Sequence, residues 1–538
     1  MKKLLAPIKR KLGQKLGLNP MKWLKSTEQI QALLQESVRG APATRHPPKG
    51  AENFAILVNP FLATWVPWYS VVMGLLLAQR GSKVSFIFDD LPFGEMPQRA
   101  AFIRMCIRRV LRTVAPHHAV LTLSEFSGKS GAVAADREAL IEKLATLNAI
   151  HHLRGEMVAR GRREYVALVR EQLTHADPAI RQLLSLHAFN ALLIPGGVFG
   201  TSGLWLENAR QANIRVCSYD AGATVMLAAA NGIAAQLKDI PVAYCTLKAQ
   251  AVSAGEKEFI LQTARAELEK RHQGRDTFSY QKVNTSAGPL EKYRGAILMA
   301  LNSSWDQAAL GLHAVFDNSA RWIEETVRWV VENTQATIII RQHPAERFAI
   351  ASTSDDYGKM LQQHFGNHPR VVFIAADDPI NTYELMAVAS TVLTYTSTIG
   401  VEAAALGKPV IVASHCYYAN LGFVSAAQSR QDYWQFIRMA LEGRLNPSQE
   451  VQHDATYCYY ATQVCNWVFT PFNPVNDEFF SQESIASLNA NPSIDLILTA
   501  LQHNIPVSVL NHKIKYASHR GAQASLVAAD LAANLATE

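Results

Sequence analysis

The chain has 538 residues, 49% of them apolar and 18% charged, which excludes a disordered or fibrous polypeptide and fits about two to four globular domains. The formal net charge is +7, but eight cations (Lys2, Lys3, Lys9, Arg10, Lys11, Lys15, Lys22 and Lys25) fall in the first 25 residues, which hold no Asp or Glu. The 44 basic and 45 acidic residues that remain leave the body near neutral, which argues against a nucleic-acid-binding partner for the main domains.

In residues 1–25, Leu4, Leu5, Ile8, Leu12 and Leu16 recur at helical spacing with lysines mostly opposite. This pattern predicts a basic amphipathic helix on an anionic membrane surface. A secretory signal is not expected, because no continuous apolar core precedes a small-residue cleavage site. The run Val66 to Ala78 contains Pro67 and Gly74 and is shorter than the roughly 20 residues a membrane span needs. The six cysteines include no C-x-x-C pair and no zinc-finger spacing, so reduced thiols are expected. The expected location is the cytoplasm, peripheral on the inner membrane.

Residues 39–50, rich in Pro, Gly and Arg, read as a linker. Apolar strands are predicted at 54–58 and 83–88 with a helix at 68–80 between them, then helices over 100–115 and 135–185. A strand at 191–194 runs into the glycine-rich stretch Gly196 to Gly203. A helix near 204–212 follows, then a strand from Ile214 to Tyr219 that ends at Asp220-Ala-Gly222. Polar residues 272–290 read as a domain joint. Strands then return at 295–301, 337–340, 371–374, 392–395 and 409–413, separated by helices over 319–333, 381–389 and 398–406. Asn381 and Glu384 have capping-box spacing, and Gly407 stands where a helix C-cap belongs.

Buried strands alternating with helices predict an α/β protein with parallel sheets, arranged as two Rossmann-like domains facing across a cleft. The expected divisions are a basic tail and linker over 1–50, a first domain over 51–285, a second over 286–450, and a helical extension over 451–538 packing back on the first domain.

Open parallel sheets bind ligands beyond the carboxyl ends of their strands, so the polar strand-end loops carry the functional weight. Thr396, Ser397 and Thr398 stand between a predicted strand and a helix start, where hydroxyls and first-turn amides form an anion site. Gly400 would let a phosphate approach the backbone, and Glu402 could accept from a sugar or ribose hydroxyl. A plain N-cap needs one hydroxyl, not three in a row. After the strand at 337–340 comes Arg341-Gln-His343-Pro344, in which Arg341 is a fixed cation, His343 a phosphate donor and Pro344 a rigid stop. The spacing of Gly197, Gly200 and Gly203 is not the dinucleotide fingerprint and marks the acceptor side only weakly. No metal-ligand spacing and no bound cofactor are predicted.

These loops resemble bacterial capsular polysaccharide biosynthesis proteins, which are glycosyltransferase-like proteins of the two-Rossmann (GT-B) architecture and include Kdo transferases. The likeness is best over 295–425, where R-Q-H-P and Y-T-S-T-I-G-V-E-A-A-A-L-G-K-P-V look like that family's nucleotide-sugar half. Asp220-Ala-Gly222 followed by Asn231-Gly232 looks like the acidic-residue-plus-glycine segment of its acceptor half, with Asp where the family often has Glu. The resemblance implies transfer from a nucleotide-sugar donor, with CMP-Kdo a candidate, to a lipid-linked or oligosaccharide acceptor, with inversion. Arg341, His343, Ser397 and Thr398 would stabilise the leaving nucleotide without a metal. Asp220 would be the catalytic base, His343 a second catalytic residue, and Gly197, Gly200 and Gly222 would lie on the acceptor side. The competing readings are a polyol-phosphate transferase of the teichoic-acid type using a CDP donor, a nucleotide-sugar 2-epimerase, and a non-catalytic scaffold.

Overall fold

In a computed structural model the described residues are 19–40, 52–60, 65–94, 97–126, 135–222, 225–250, 253–276, 290–349, 351–471 and 484–521. The chain divides into two compact units, one drawing on 1–146, 164–239 and 466–538, the other on 147–163 and 240–465. Residues 240–276, expected in the first domain, thus cluster with the second, and the return to the first unit comes at 466 rather than 451. Residues 1–18, expected to lie on a membrane, and most of the linker fall outside the described residues.

The first unit is built on strands β1 (Asn53–Val58), β2 (Lys83–Phe88), β3 (Ala119–Thr122), β4 (Ala191–Pro195), β5 (Arg215–Gly222) and β6 (Val225–Ala229), with β13 (Val468–Phe469) from the end of the chain. Their order is β13-β6-β5-β4-β1-β2-β3, parallel from β5 to β3. Only β6 and β13 run antiparallel to their neighbours. Phe54 to Val58 are all buried, as strands covered on both faces must be. The apolar run Val66–Gln79 is a buried helix of this core. Among the described residues no helix is long and apolar enough to cross a membrane.

The helix Pro20–Gly40, predicted as part of a tail, is instead a wall of this unit. Trp23, Ile30, Leu33 and Leu34 are buried in the same core as Phe54 and Ile56. Trp23 stacks on Trp65 at 4.9 Å, and Trp68 Nε1 donates to Ser26 Oγ (3.1 Å). The C-terminal helices Pro492–His503 and Val507–His519 close the same core through Leu496, Leu501 and Leu510.

The second unit holds β7 (Ile297–Ala300), β8 (Ile338–Arg341), β9 (Val371–Ile374), β10 (Thr391–Thr394), β11 (Val410–Val412) and β12 (Ser425–Ala426). All are parallel, in the order β12-β11-β10-β7-β8-β9. The chain therefore builds outward in one direction from β7 to β9 and in the other from β10 to β12. The point where the direction reverses lies between β7 and β10, and there the connecting loops diverge and leave a crevice.

Candidate functional site

A pocket opens at that reversal point, at the carboxyl ends of β7, β8 and β10. Its walls are Arg271, Ala300, Leu301, Arg341, Gln342, His343, Pro344, Thr382, Tyr383, Ser397, Thr398, Ile399 and Glu402. The open space of about 50 Å³ has room for a few water-sized atoms, which is the scale of a phosphate group. Both loops singled out in the sequence therefore reach one place, through Arg341 and His343 on one side and Ser397, Thr398 and Glu402 on the other. Thr396 and Gly400 are not among the lining residues.

Several of these residues act differently from expectation. Arg341 is 3% exposed at the last position of β8. Its guanidinium donates to Thr382 Oγ1 (3.3 Å), to Ala375 O, and to Asp378 O (3.4 Å) and Ile380 O (3.2 Å). Its donors thus tie down the loop 375–382, and burial lowers its pKa to about 10 despite Asp378 nearby. The first-turn amides expected to meet an anion are largely used within the turn. Gly400 N donates to Ser397 O (3.1 Å), Val401 N to Thr398 O (3.0 Å), and Ile399 N to Ser397 Oγ (3.4 Å). Gly400 is required by Tyr418 rather than by a phosphate, since a Cβ there would stand 2.3 Å from Tyr418 Oη.

A second arginine of the pocket is Arg271, which the sequence reading missed. It sits in the last turn of the helix Ala254–His272, within a Glu-Lys-Arg-His run that reads as an ordinary charged helix end. Arg271 Nε donates to Tyr383 Oη (3.0 Å) and lies 2.9 Å from Glu402 Oε1. Its NH1 donates to Asp276 (3.3 Å) and Gln463 (3.2 Å). Burial alone would lower its pKa, but Glu402 and the groups around it hold it above the ordinary value.

Glu402 is 1% exposed and accepts from Tyr383 Oη at 2.8 Å on Oε2. Its Oε1, buried and paired only by charge with Arg271, accepts no hydrogen bond. A buried acceptor in that state favours a ligand hydroxyl. His343 Nδ1 accepts from the Ala345 amide (3.2 Å), so in the neutral ring Nε2 carries the proton. Burial, with Arg271 and Arg341 adding to it, lowers its pKa to about 4, which keeps the ring neutral at physiological pH. The carbonyl of Ser397 is fixed by Tyr418 Oη at 2.6 Å, which orients the serine at the pocket wall.

The acceptor-side candidates belong to the first unit. Gly197 and Gly200 have φ of +94° and +65° in the loop after β4, so the backbone itself calls for glycine there. Gly222 ends β5. Asp220, expected just beyond the end of a strand, is within β5 and opposite Leu227 of β6. Its side chain is open to solvent.

Residues 220–464 match the family model described as capsule polysaccharide biosynthesis protein. The matched segment begins at Asp220 and contains every residue of the pocket. No curated protein matches the sequence. Among solved structures the chain is similar to the KpsC beta Kdo 2,4 transferase of Thermosulfurimonas dismutans (15% identity, TM-score 0.34, covering 50% of this chain and 79% of that one). It is similar to the beta Kdo 2,7 transferase of the same KpsC (16%, TM-score 0.31, 61% and 87%). It is also similar to the Methanocaldococcus jannaschii UDP-GlcNAc 2-epimerase in complex with UDP-GlcNAc and UDP (12%, TM-score 0.27, 77% and 99%).

Proposed function

We propose that the protein is a glycosyltransferase of the GT-B type. It would move a sugar from a nucleotide-activated donor, with CMP-Kdo a candidate, to a growing capsular or surface polysaccharide or glycolipid. One observation carries the reading: two sequence-distant loops and a half-buried arginine converge on a phosphate-sized pocket at the strand-order reversal of a parallel sheet.

In this reading the donor phosphate lies against Arg271, the Nε2–H of His343 and the hydroxyls of Ser397 and Thr398. Glu402 Oε1 accepts from a sugar or ribose hydroxyl. The acceptor oxygen attacks the anomeric carbon while the bond from that carbon to the phosphate oxygen breaks, and the electron pair leaves with the nucleotide. Fixed donors stabilise the charge that builds there, so the leaving group needs no metal in this scheme. The acceptor hydroxyl gives its proton to a carboxylate base, for which Asp220 stays the sequence candidate.

A transfer assay over CMP-, CDP- and UDP-linked donors tests the reading. The double variant H343A/S397A should lose roughly a hundredfold or more of the transfer rate with its thermal melt preserved, the scale expected when oxyanion-type donors are removed. Full activity in the double variant would contradict it. A product carrying a polyol phosphate from a CDP donor would identify the teichoic-acid-type reaction instead.

A further inference from the structure

Near neutrality of the body as a whole conceals one strongly basic stretch. Between Met96 and Ser124 the chain has five arginines and two histidines and no Asp or Glu. Most of this stretch is the helix Pro97–Val114 of the first unit. One face is buried through Ile103, Cys106, Ile107, Val110 and Val114. The opposite face presents Ala101, Met105, Arg108, Arg109 and Arg112, all exposed, within a contiguous arc at helical spacing.

Arg108 is 51% exposed and lies 3.5 Å from Asp90. Among the described residues Arg109 and Arg112 have no ion-pair partner. Met105, at the middle of this cationic face, is 52% exposed. The helix Pro20–Gly40 packs alongside, with Gln31 Nε2 donating to Arg109 O (3.3 Å) and Thr113 Oγ1 (3.1 Å). That helix follows directly on the cationic N-terminal segment.

We propose that this arginine face docks on an anionic lipid surface. Arginine forks match lipid phosphates, and each cation held near such a surface adds attraction that salt weakens. Exposed Met105 supplies an apolar side chain among the charges, as helices lying at a lipid interface do. Among the described residues the face has no exposed aromatic ring on which a base could stack, which favours lipid over single-stranded nucleic acid. The inference does not depend on the transferase reading, because no residue of the pocket takes part.

The test is co-sedimentation of the full chain with phosphatidylcholine vesicles, with and without phosphatidylglycerol, at low and high salt. The wild-type chain should bind only the vesicles with phosphatidylglycerol, less at high salt. R108Q/R109Q/R112Q should partition about tenfold less or weaker still, and R108K/R109K/R112K should stay within about threefold of wild type. If the glutamine variant has a lowered melting temperature, the single variants R109E and R112E replace it, and each should reduce partitioning. Unchanged partitioning in the glutamine variant or in both single variants overturns the proposal, as does equal binding to neutral vesicles. Tighter binding to a single-stranded RNA oligonucleotide, lost in the same variants, overturns it in favour of nucleic acid.

Discussion

A methyl group at Gly400 would collide with the Tyr418 hydroxyl that fixes Ser397, 21 residues before it in the sequence, so this position helps decide the shape of the pocket. G400A is therefore expected to destabilise the second unit by about 1–3 kcal/mol, the usual penalty for overpacking. It should also weaken nucleotide binding, and thermal melts with and without nucleotide would show both. The polar residues at the strand ends were legible in the sequence because three hydroxyls and an R-x-H-P turn exceed what capping requires. Their division of labour was not. Arg341 reads as a phosphate cation until its donors are seen to end on Thr382 and on the carbonyls of Ala375, Asp378 and Ile380. A second arginine of the pocket, Arg271, comes from the end of a helix about 70 residues earlier.

Strands and helices with strong apolar patterning were readable nearly to the residue. The helix Ser319–Asn333 and the strand Val371–Ile374 are examples. The antiparallel β5–β6 pair was not readable, because Asp220-Ala-Gly222 has the composition of a turn while its pairing partners lie beyond it. The two-residue β13 has too little pattern to show at all. At the pocket's edge the short turn Pro344–Arg347 has a consequence for pH. Its Glu346 is buried and accepts from Gln342 Nε2 (2.8 Å), while burial, with Asp355 adding to it, raises its pKa to about 7. Folded Glu346 therefore keeps its proton where the unfolded chain has lost it, so its contribution to stability is full below the unfolded value and falls as pH rises to about 7. Melting temperatures measured from pH 4 to 8 should fall less steeply in E346Q than in wild type. Parallel curves would contradict the assignment.

At the scale of the molecule, the chain leaves the first unit at 147, re-enters it at 164, leaves it again at 240 and returns at 466. No composition shift marks these crossings, because each lies within or beside ordinary helical sequence. What the sequence did convey was the fold class, since buried strands alternating with helices leave few arrangements other than covered parallel sheets. The central claim is that the second unit grips the phosphate of a leaving nucleotide through Arg271, His343 and the Ser397–Thr398 hydroxyls. Titration calorimetry of CMP, CDP and UDP into the wild-type chain and into R271Q tests it most directly. At least one nucleotide should bind the wild type, and R271Q should bind it about tenfold or more weakly, as loss of a charged hydrogen-bond donor requires. Equal affinity in the two proteins, or no binding of any nucleotide to the wild type, would contradict it.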